Sequence, residues 1–485
     1  MKSVGISNPV AVPADRDAPR RRAVFLVLAA AVFVSNLDLF IVNVALPAMQ
    51  QHFRGSSLAT LSWVLNGYAI VFAALLVPAG RLADRIGHRT VFLAGLAVFT
   101  TASALCALAP TVGWLDAARV LQAAGAAALM PTSLALLLDA TPAAERPGAI
   151  RAWASIGGIA AGLGPVLGGL LVEADWRWVF IVNVPVGIAA VVVGARVLPG
   201  SRGKENGPLP DLFGAVLLTA AIATLTVSLV KADEWGWISP RVLGGLLASA
   251  LLTVWFLRRS ARHRAPVVEL PLLRVPVFAA ANTAALLFTL AFAGMLLTSV
   301  LWCQQVWGYS ALRTGLAVAP GPLLVPPIAL GSALLVRRLG AGRVAALGTL
   351  LFAAGIGWWS VAIGVRPGYA GELLPGMLLT GVGVGLALPT LVGSAAAALA
   401  PARFATGSAI TTMARQIGAV VGVALTVGLI GTPAGPQAAL DGFRRGWVLL
   451  IAAALLACAA ALWLAAVQRR AATSGSRRPT LTAGA

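Results

Sequence analysis

For a chain of 485 residues, this one holds few charges, few histidines and few cysteines. Asp, Glu, Lys and Arg make up 11% of it, against about a quarter in soluble domains. That shortage excludes an ordinary water-soluble fold. The three histidines are not clustered, and no nucleophile–base arrangement stands out, so the chain does not read as an enzyme. Cys106, Cys303 and Cys458 are scattered through apolar runs without disulfide or metal spacing, which leaves core packing as their role. No G-x-x-x-x-G-K-[ST] phosphate loop occurs, because the one Gly-Lys pair, Gly203-Lys204, is followed by Glu205. ATP-driven pumping is thereby disfavoured. Nor does any stretch alternate with the two-residue period of a membrane β-barrel.

What is present is apolar: 59% of residues are hydrophobic and mean hydropathy is +0.89. Runs long enough to cross a bilayer as helices recur almost without pause. Fourteen are predicted, at 23–46, 58–79, 90–109, 113–137, 149–172, 178–197, 211–230, 240–257, 277–301, 312–335, 343–363, 371–396, 405–430 and 446–467. The net charge of +20 does not point to nucleic acid, because its distribution follows the membrane. With the N-terminus in the cytoplasm, 26 of the 36 Lys and Arg residues lie on inner segments and eight on outer ones, while Arg119 and Arg415 fall inside spans. That is the positive-inside pattern, and it puts both termini in the cytoplasm. The densest inner patch, "RRSARHR" at 258–264, reads as a topology signal. The polar tails 1–22 and 469–485 read as cytoplasmic, the first disordered. The first apolar run is too long for a cleaved leader and reads as an uncleaved helix.

One acid interrupts this pattern. "VSNLDLFIVNVALP" at 34–47 places Asp38 in hydrocarbon, where a charge costs at least a few kcal/mol and is normally kept for a function. By helical rise, Asp38 lies roughly 12 Å below the outer end of helix 1 and Arg119 roughly 9 Å below the outer start of helix 4. The two are expected to share a depth, face one cavity and couple electrostatically. Asp116 sits near an outer end and reads as interfacial, as do Glu372 and Asp441.

The chain also repeats itself weakly. "DRIGHRTV" at 84–91 matches "RRLGAGRV" at 337–344, offset 253, and 128–150 matches 386–410, offset 258 rising to 259. Parallel similarity of this kind marks a large transporter architecture. The displacement is eight helices rather than six, so the seventh and eighth, 211–257, read as an insert. The expected organisation is an N-terminal six-helix bundle at 23–198, a linker with two inserted helices at 199–260, and a C-terminal six-helix bundle at 261–468.

Three motifs carry a family resemblance. "GRLADRIGHRTVFL" at 80–93 resembles the loop signature of the major facilitator superfamily, with His88 where the family more often has Arg. Gly80 permits close helix approach, Asp84 can bond a helix N-terminus and a basic side chain, and Arg85 and Arg89 hold the loop to the cytoplasmic face. The resemblance implies that this loop, Gly87 included, latches the outward-open state around Asp84. "RVLQAAGAA" at 119–127 resembles the R-x-x-Q-G-x-G motif of helix 4. "GGIAAGLGPVLGG" at 157–169 resembles the helix 5 antiporter motif; Gly158, Gly162, Gly164, Pro165, Gly168 and Gly169 give it a smooth, kinked face. In the family this motif accompanies exporters, with helix 5 packed on the opposite half. "LDLFIVNVALP", "WRWVFIVNVPVG" and "TTMARQIGAVVGVAL" narrow the match to the fourteen-helix drug:proton antiporters, the QacA/EmrB-type exporters.

The resemblance implies an all-α polytopic protein with the major facilitator fold, two six-helix pseudo-repeats plus two extra central helices. It implies a proton-coupled antiporter that moves lipophilic drugs or antibiotics out of the cytoplasm or inner leaflet by alternating access. Asp38 and Arg119 are the proton-coupling pair; an aspartate that merely ties helices through Arg119 is the simpler reading of the same residues. Polar cavity residues are expected at Asn36, Asn43, Asn66, Tyr68, Gln122, Asn183 and Gln416, with apolar walls at Met130, Phe292, Trp302 and Trp358. Arg415 either neutralises an anionic group or bonds backbone carbonyls. No cofactor is expected, the energy source being the proton gradient. The expected partners are a small lipophilic substrate, protons and the bilayer, around a functional monomer. Arg-rich, Lys-poor usage suggests a high-GC bacterium and its cytoplasmic membrane. A proton-coupled importer of one metabolite and a non-transporting membrane sensor are the competing readings; the helix 5 motif argues for export.

Overall fold

In a computed structural model, residues 18–142, 145–200, 209–400, 403–433 and 435–475 are described. Most of the N-terminal tail, the centre of the 199–211 linker and the last ten residues lie outside them. The described residues are helical, with no strand among them.

Among the described residues, fourteen helices are long and apolar enough to cross a membrane. We number them α1 (Pro19–His52), α2 (Leu58–Ile86), α3 (His88–Ala107), α4 (Val112–Ala140), α5 (Gly148–Ala174), α6 (Trp178–Val197) and α7 (Leu212–Val230). The series continues with α8 (Pro240–Arg262), α9 (Pro276–Val306), α10 (Ala311–Leu339), α11 (Ala341–Ala362), α12 (Tyr369–Ala397), α13 (Thr406–Ile430) and α14 (Pro436–Arg470). Each matches one of the fourteen runs found by hydropathy, ten of which lie wholly within their helix while the other four overrun an end by one or two residues. Their ends differ, because helices continue past the apolar stretch: α1 runs on to His52, and α14 begins ten residues before the run at 446. Inside the bilayer the backbone has no other partner than itself, so a helix once begun continues until water or a turn residue offers an alternative. Fourteen spans return the chain to the face it started from; that face is called inner below and its opposite outer.

The repeat read from sequence is a repeat of packing. α3 packs on α4 as α11 packs on α12; α1 on α5 as α9 on α13; α2 on α4 as α10 on α12; and α3 on α6 as α11 on α14. Each correspondence advances by eight helices. The closest contacts recur too. A methyl on Gly95 would stand 2.6 Å from Ala128 Cβ, and one on Gly348 would stand 2.7 Å from Ala387 N. Small residues let these pairs approach to backbone contact, and the van der Waals gain replaces a hydrophobic force that lipid does not supply. The turns that lead into the two pairs, at Gly87 (φ 102°) and Gly340 (φ 86°), both need the left-handed freedom of glycine. The inserted pair is layered: α7 packs on α2, α13 and α8, while α8 packs chiefly on α7 and is largely exposed.

Contacts between the two repeats run through α2 with α13 and through α5 with α10. At the outer ends they are closed. Gln304 and Gln305, on the wide final turn of α9, donate to Val44 O and Gln50 Oε1, each at 3.1 Å. Glu173 accepts from the Leu312 N–H at 3.0 Å.

Candidate functional site

Asp38 sits halfway along α1 and is fully buried. Its carboxylate accepts from three side chains: Arg119 Nη1, Gln122 Nε2 at 3.0 Å and Asn183 Nδ2 at 3.3 Å. Arg119 is held further, with Nε donating to Val64 O at 3.0 Å and Nη1 to Gln122 Oε1 at 2.7 Å. Its guanidinium lies 4.1 Å from the Tyr68 ring centroid and 5.7 Å from that of Phe180. A hydroxyl closes the network: Ser103 accepts from Gln122 and Asn183 at 3.1 and 3.0 Å and donates to Phe180 O at 3.1 Å. Five helices, α1, α2, α3, α4 and α6, thus meet on one ion pair inside the first repeat.

The shared depth expected of Asp38 and Arg119 is therefore realised as direct contact. The expectation that they face an open cavity is not: Asp38 is 0% and Arg119 1% exposed. Asn66, Tyr68, Gln122 and Asn183 are buried with them, so they belong to the interior of the first repeat and not to a wetted wall. The physical reason is cost. A guanidinium and a carboxylate in hydrocarbon need every donor and acceptor answered, and the neighbouring helices supply the answers. The exceptions are Asn66, with both amide atoms buried and unpartnered, and the unpartnered Tyr68 hydroxyl and Asn183 Oδ1. Ser103 was not expected. Hydroxyls within apolar helices are common and usually bond their own backbone, so nothing in the sequence singled it out.

The other predicted residues divide by surroundings. Asn36 and Asn43 are half-buried and bond back to Val32 O and Leu39 O on their own helix. Met130 and Phe292 are half-buried against apolar neighbours. Trp302 is no cavity wall, being buried among Phe443 and Trp447 of the second repeat with ring centroids 5.0 and 5.6 Å away. Nor is Trp358, which is 45% exposed and donates to Gly371 O at 3.1 Å near the outer end. Arg415 and Gln416 are half-buried on α13. A cleft of about 470 Å³ opens at the outer end, lined by Gln50, Gln305, Thr432 and Phe443 among others; none of the predicted cavity residues lines it.

The α5 motif forms two contact faces. Gly164 and Gly168 pack on α1, where methyls would stand 2.6 Å from Phe40 Cβ and 3.0 Å from Ile41 Cγ1. Gly162, Pro165 and Gly169 meet α10 of the other repeat at Pro322, Gly315 and Ala311. Gly158, one turn inward, has nothing within reach. The α2–α3 turn is held by Gly80 against Pro131 and by Arg89 donating to Ala195 O. Asp84 departs from the expected latch. Its side chain is 69% exposed and pairs with His88 on the next turn at 3.2 Å. No helix N-terminus receives it among the described residues, and Arg81 of the same helix end pairs instead with Glu269 at 3.1 Å.

Comparison with known proteins agrees with this architecture. The Major Facilitator Superfamily model matches residues 28–423. The chain is 34% identical to the tetracenomycin C resistance and export protein of Streptomyces glaucescens, over 87% of this chain and 77% of that one. It is 36% identical to the cephamycin export protein of Amycolatopsis lactamdurans, over 85% and 86%. It is 33% identical to the puromycin resistance protein of Streptomyces alboniger, over 92% and 91%. Among solved structures, the POT family transporter PepTSo superposes with a TM-score of 0.67 at 16% identity, covering 93% of this chain and 98% of that one, a likeness of fold. Fourteen apolar helices, a packing repeat displaced by eight of them and a family match across most of the length give one assignment: the chain is an integral, multi-pass membrane protein of the major facilitator superfamily, in its fourteen-helix form.

Proposed function

We propose that this protein is a proton-coupled antiporter of a bacterial cytoplasmic membrane that exports lipophilic antibiotics, with both termini in the cytoplasm. Three relatives that match most of the chain are named for resistance or export, and they support the outward direction and the substrate class. Proton coupling rests on one observation: a carboxylate buried at mid-span against an arginine, on which five helices converge.

The mechanism follows from how that carboxylate is held. Arg119 holds one oxygen of Asp38 while Gln122 and Asn183 hold the other, so a proton is taken as one of these donors withdraws. Arg119 keeps two other acceptors, Val64 O and Gln122 Oε1, so it need not be left bare when Asp38 becomes neutral. Protonation then removes the attraction that holds α1 to α4 and leaves the buried Arg119 charge answered only by neutral acceptors, a costly arrangement that favours a change of packing. Because α1 also carries Phe40 and Ile41 against α5, and α5 meets α10 across the repeats, a shift of α1 is transmitted to the contact that closes the outer ends. Substrate binding between the repeats favours loss of the proton inward; outward rocking releases the substrate as a proton returns.

The test is Asp38→Asn in everted vesicles. Efflux driven by an imposed proton gradient should vanish, while the purified variant keeps the wild-type elution profile. Proton-coupled efflux at the wild-type rate in that variant would overturn the assignment.

A further inference from the structure

Apart from Arg119, one other arginine lies deep inside a span. Arg415 is the tenth residue of α13, near the middle of the membrane by helical rise. The sequence allows two accounts of it: a guanidinium tied to backbone carbonyls, or one held for an anionic partner. The geometry removes the first. Its Nε is buried with no hydrogen-bond partner, and among the described residues no carboxylate lies within ion-pair distance. Three acids of the spans and their ends are committed elsewhere. Asp38 is taken by Arg119, Glu269 by Arg81 at the inner end, and Glu372 accepts from Gly364 N at the outer end at 2.8 Å.

Position adds to charge. α13 stands at the seam, packing on α2 of the first repeat and α9 of the second. Gly418 lies against Leu286 O and Gly422 against Leu290 O of α9, so Arg415 stands one turn inward, level with Asn282. The Asn282 amide donates to Phe278 O at 2.8 Å, and its Oδ1 is buried and unpartnered. A donor without an acceptor and an acceptor without a donor thus share one level of the seam without meeting. An unpaired guanidinium at this depth is expensive, and a carboxylate answers it with charge-assisted, two-pronged hydrogen bonds.

We propose that Arg415 binds an anionic group, a carboxylate or phenolate, on the molecule being carried. The inference rests on the export reading and narrows its substrate class to lipophilic acids. Within the bilayer such a molecule needs a cation where it pauses, and Arg415 is a cation without a partner among the described residues. Asn282 Oδ1 is placed to accept from a hydroxyl or amide on the same molecule.

The experiment uses the purified protein in nanodiscs with 4-(1-pyrenyl)butyrate and its methyl ester as probes, read by fluorescence polarisation. Wild type should bind the acid at least tenfold more tightly than the ester. Arg415→Gln should lose that preference while its affinity for the ester stays within twofold, and Arg415→Lys should recover part of it. An absent preference in wild type, or one that survives in Arg415→Gln, overturns the proposal. Thermal unfolding without probe guards against a structural role: Arg415→Gln should keep the wild-type midpoint, and a large drop that Arg415→Lys restores without restoring the preference would make Arg415 a tie between α9 and α13 and overturn the proposal. Gradient-driven efflux of the acid is followed separately. Its absence would sink the export reading while the binding result still decides the arginine.

Discussion

The two repeats share their packing and differ in what they hold at its centre. An offset of 253 carries α2 onto α10 and takes Tyr68 to Gly321; an offset of 258 carries α4 onto α12 and takes Arg119 to Met377. The contact itself is conserved in space. In the first repeat the Arg119 guanidinium lies over Tyr68; in the second, a methyl on Gly321 would stand 2.9 Å from Met377 Cε. Gln122 goes to Thr380, which bonds its own helix at Met377 O, and Ser103 goes to the apolar Ile356. One scaffold therefore carries a hydrogen-bonded ion pair on one side and an ordinary apolar core on the other. The scaffold does not require the charges, so their presence in the first repeat calls for a functional account.

The sharpest way to break this comparison is to leave one charge alone. Arg119→Met, which copies the second repeat, strands Asp38 and should cost about 3–5 kcal/mol, seen as loss of folded protein in thermal unfolding. The double variant Asp38→Leu/Arg119→Met should recover most of that stability, since apolar replacement of a buried pair is often neutral, yet carry out no proton-driven efflux. A double variant as unstable as the single one would show that the pair is structural.

Packing should respond alike in both repeats. Gly125→Leu and its counterpart Gly383→Leu both push a side chain into a facing helix, where methyls would already stand 2.5 Å from Phe99 N and 2.6 Å from Gly348 O. Each should destabilise by at least about 1–3 kcal/mol, and a marked inequality between them would limit the symmetry. Removing Ser103 by Ala leaves the Gln122 and Asn183 amides one acceptor short and should cost about 1–3 kcal/mol, while Ile356→Val, its counterpart, should cost about 0.5–1.5 kcal/mol. The smallest effect on stability belongs to the exposed Asp84–His88 pair, where His88→Ala should change unfolding by less than about 1 kcal/mol.

Much of this was legible in the residues. Asp38 and Arg119 were paired from depth alone, because a mid-membrane acid and base have few ways to avoid each other. The eight-helix displacement came from Pro131 and Gly148 finding Pro389 and Gly407 at matching distances. What the residues did not reveal was which side chains are wet. Phe292, Trp302 and Trp358 look alike as cavity candidates, since in a membrane protein apolar residues face lipid, core and cavity equally and no periodicity separates the three. Asp84 shows the same limit in the loop: its motif is legible, but whether it docks on a helix end depends on how the repeats are arranged.

By itself, the sequence determined the spans, their number, the repeat and the one place where opposite charges must meet, because hydrophobicity, helical rise and the cost of burying charge act locally. Only the tertiary structure decided that Ser103 completes the ion-pair network, that Asp38 and Arg119 are sealed within it, and that Arg415 has no partner among the described residues. Those are facts about which helices become neighbours. In lipid that choice is made by close fitting of small residues rather than by hydrophobic drive, and a fit exists only once both surfaces are in place.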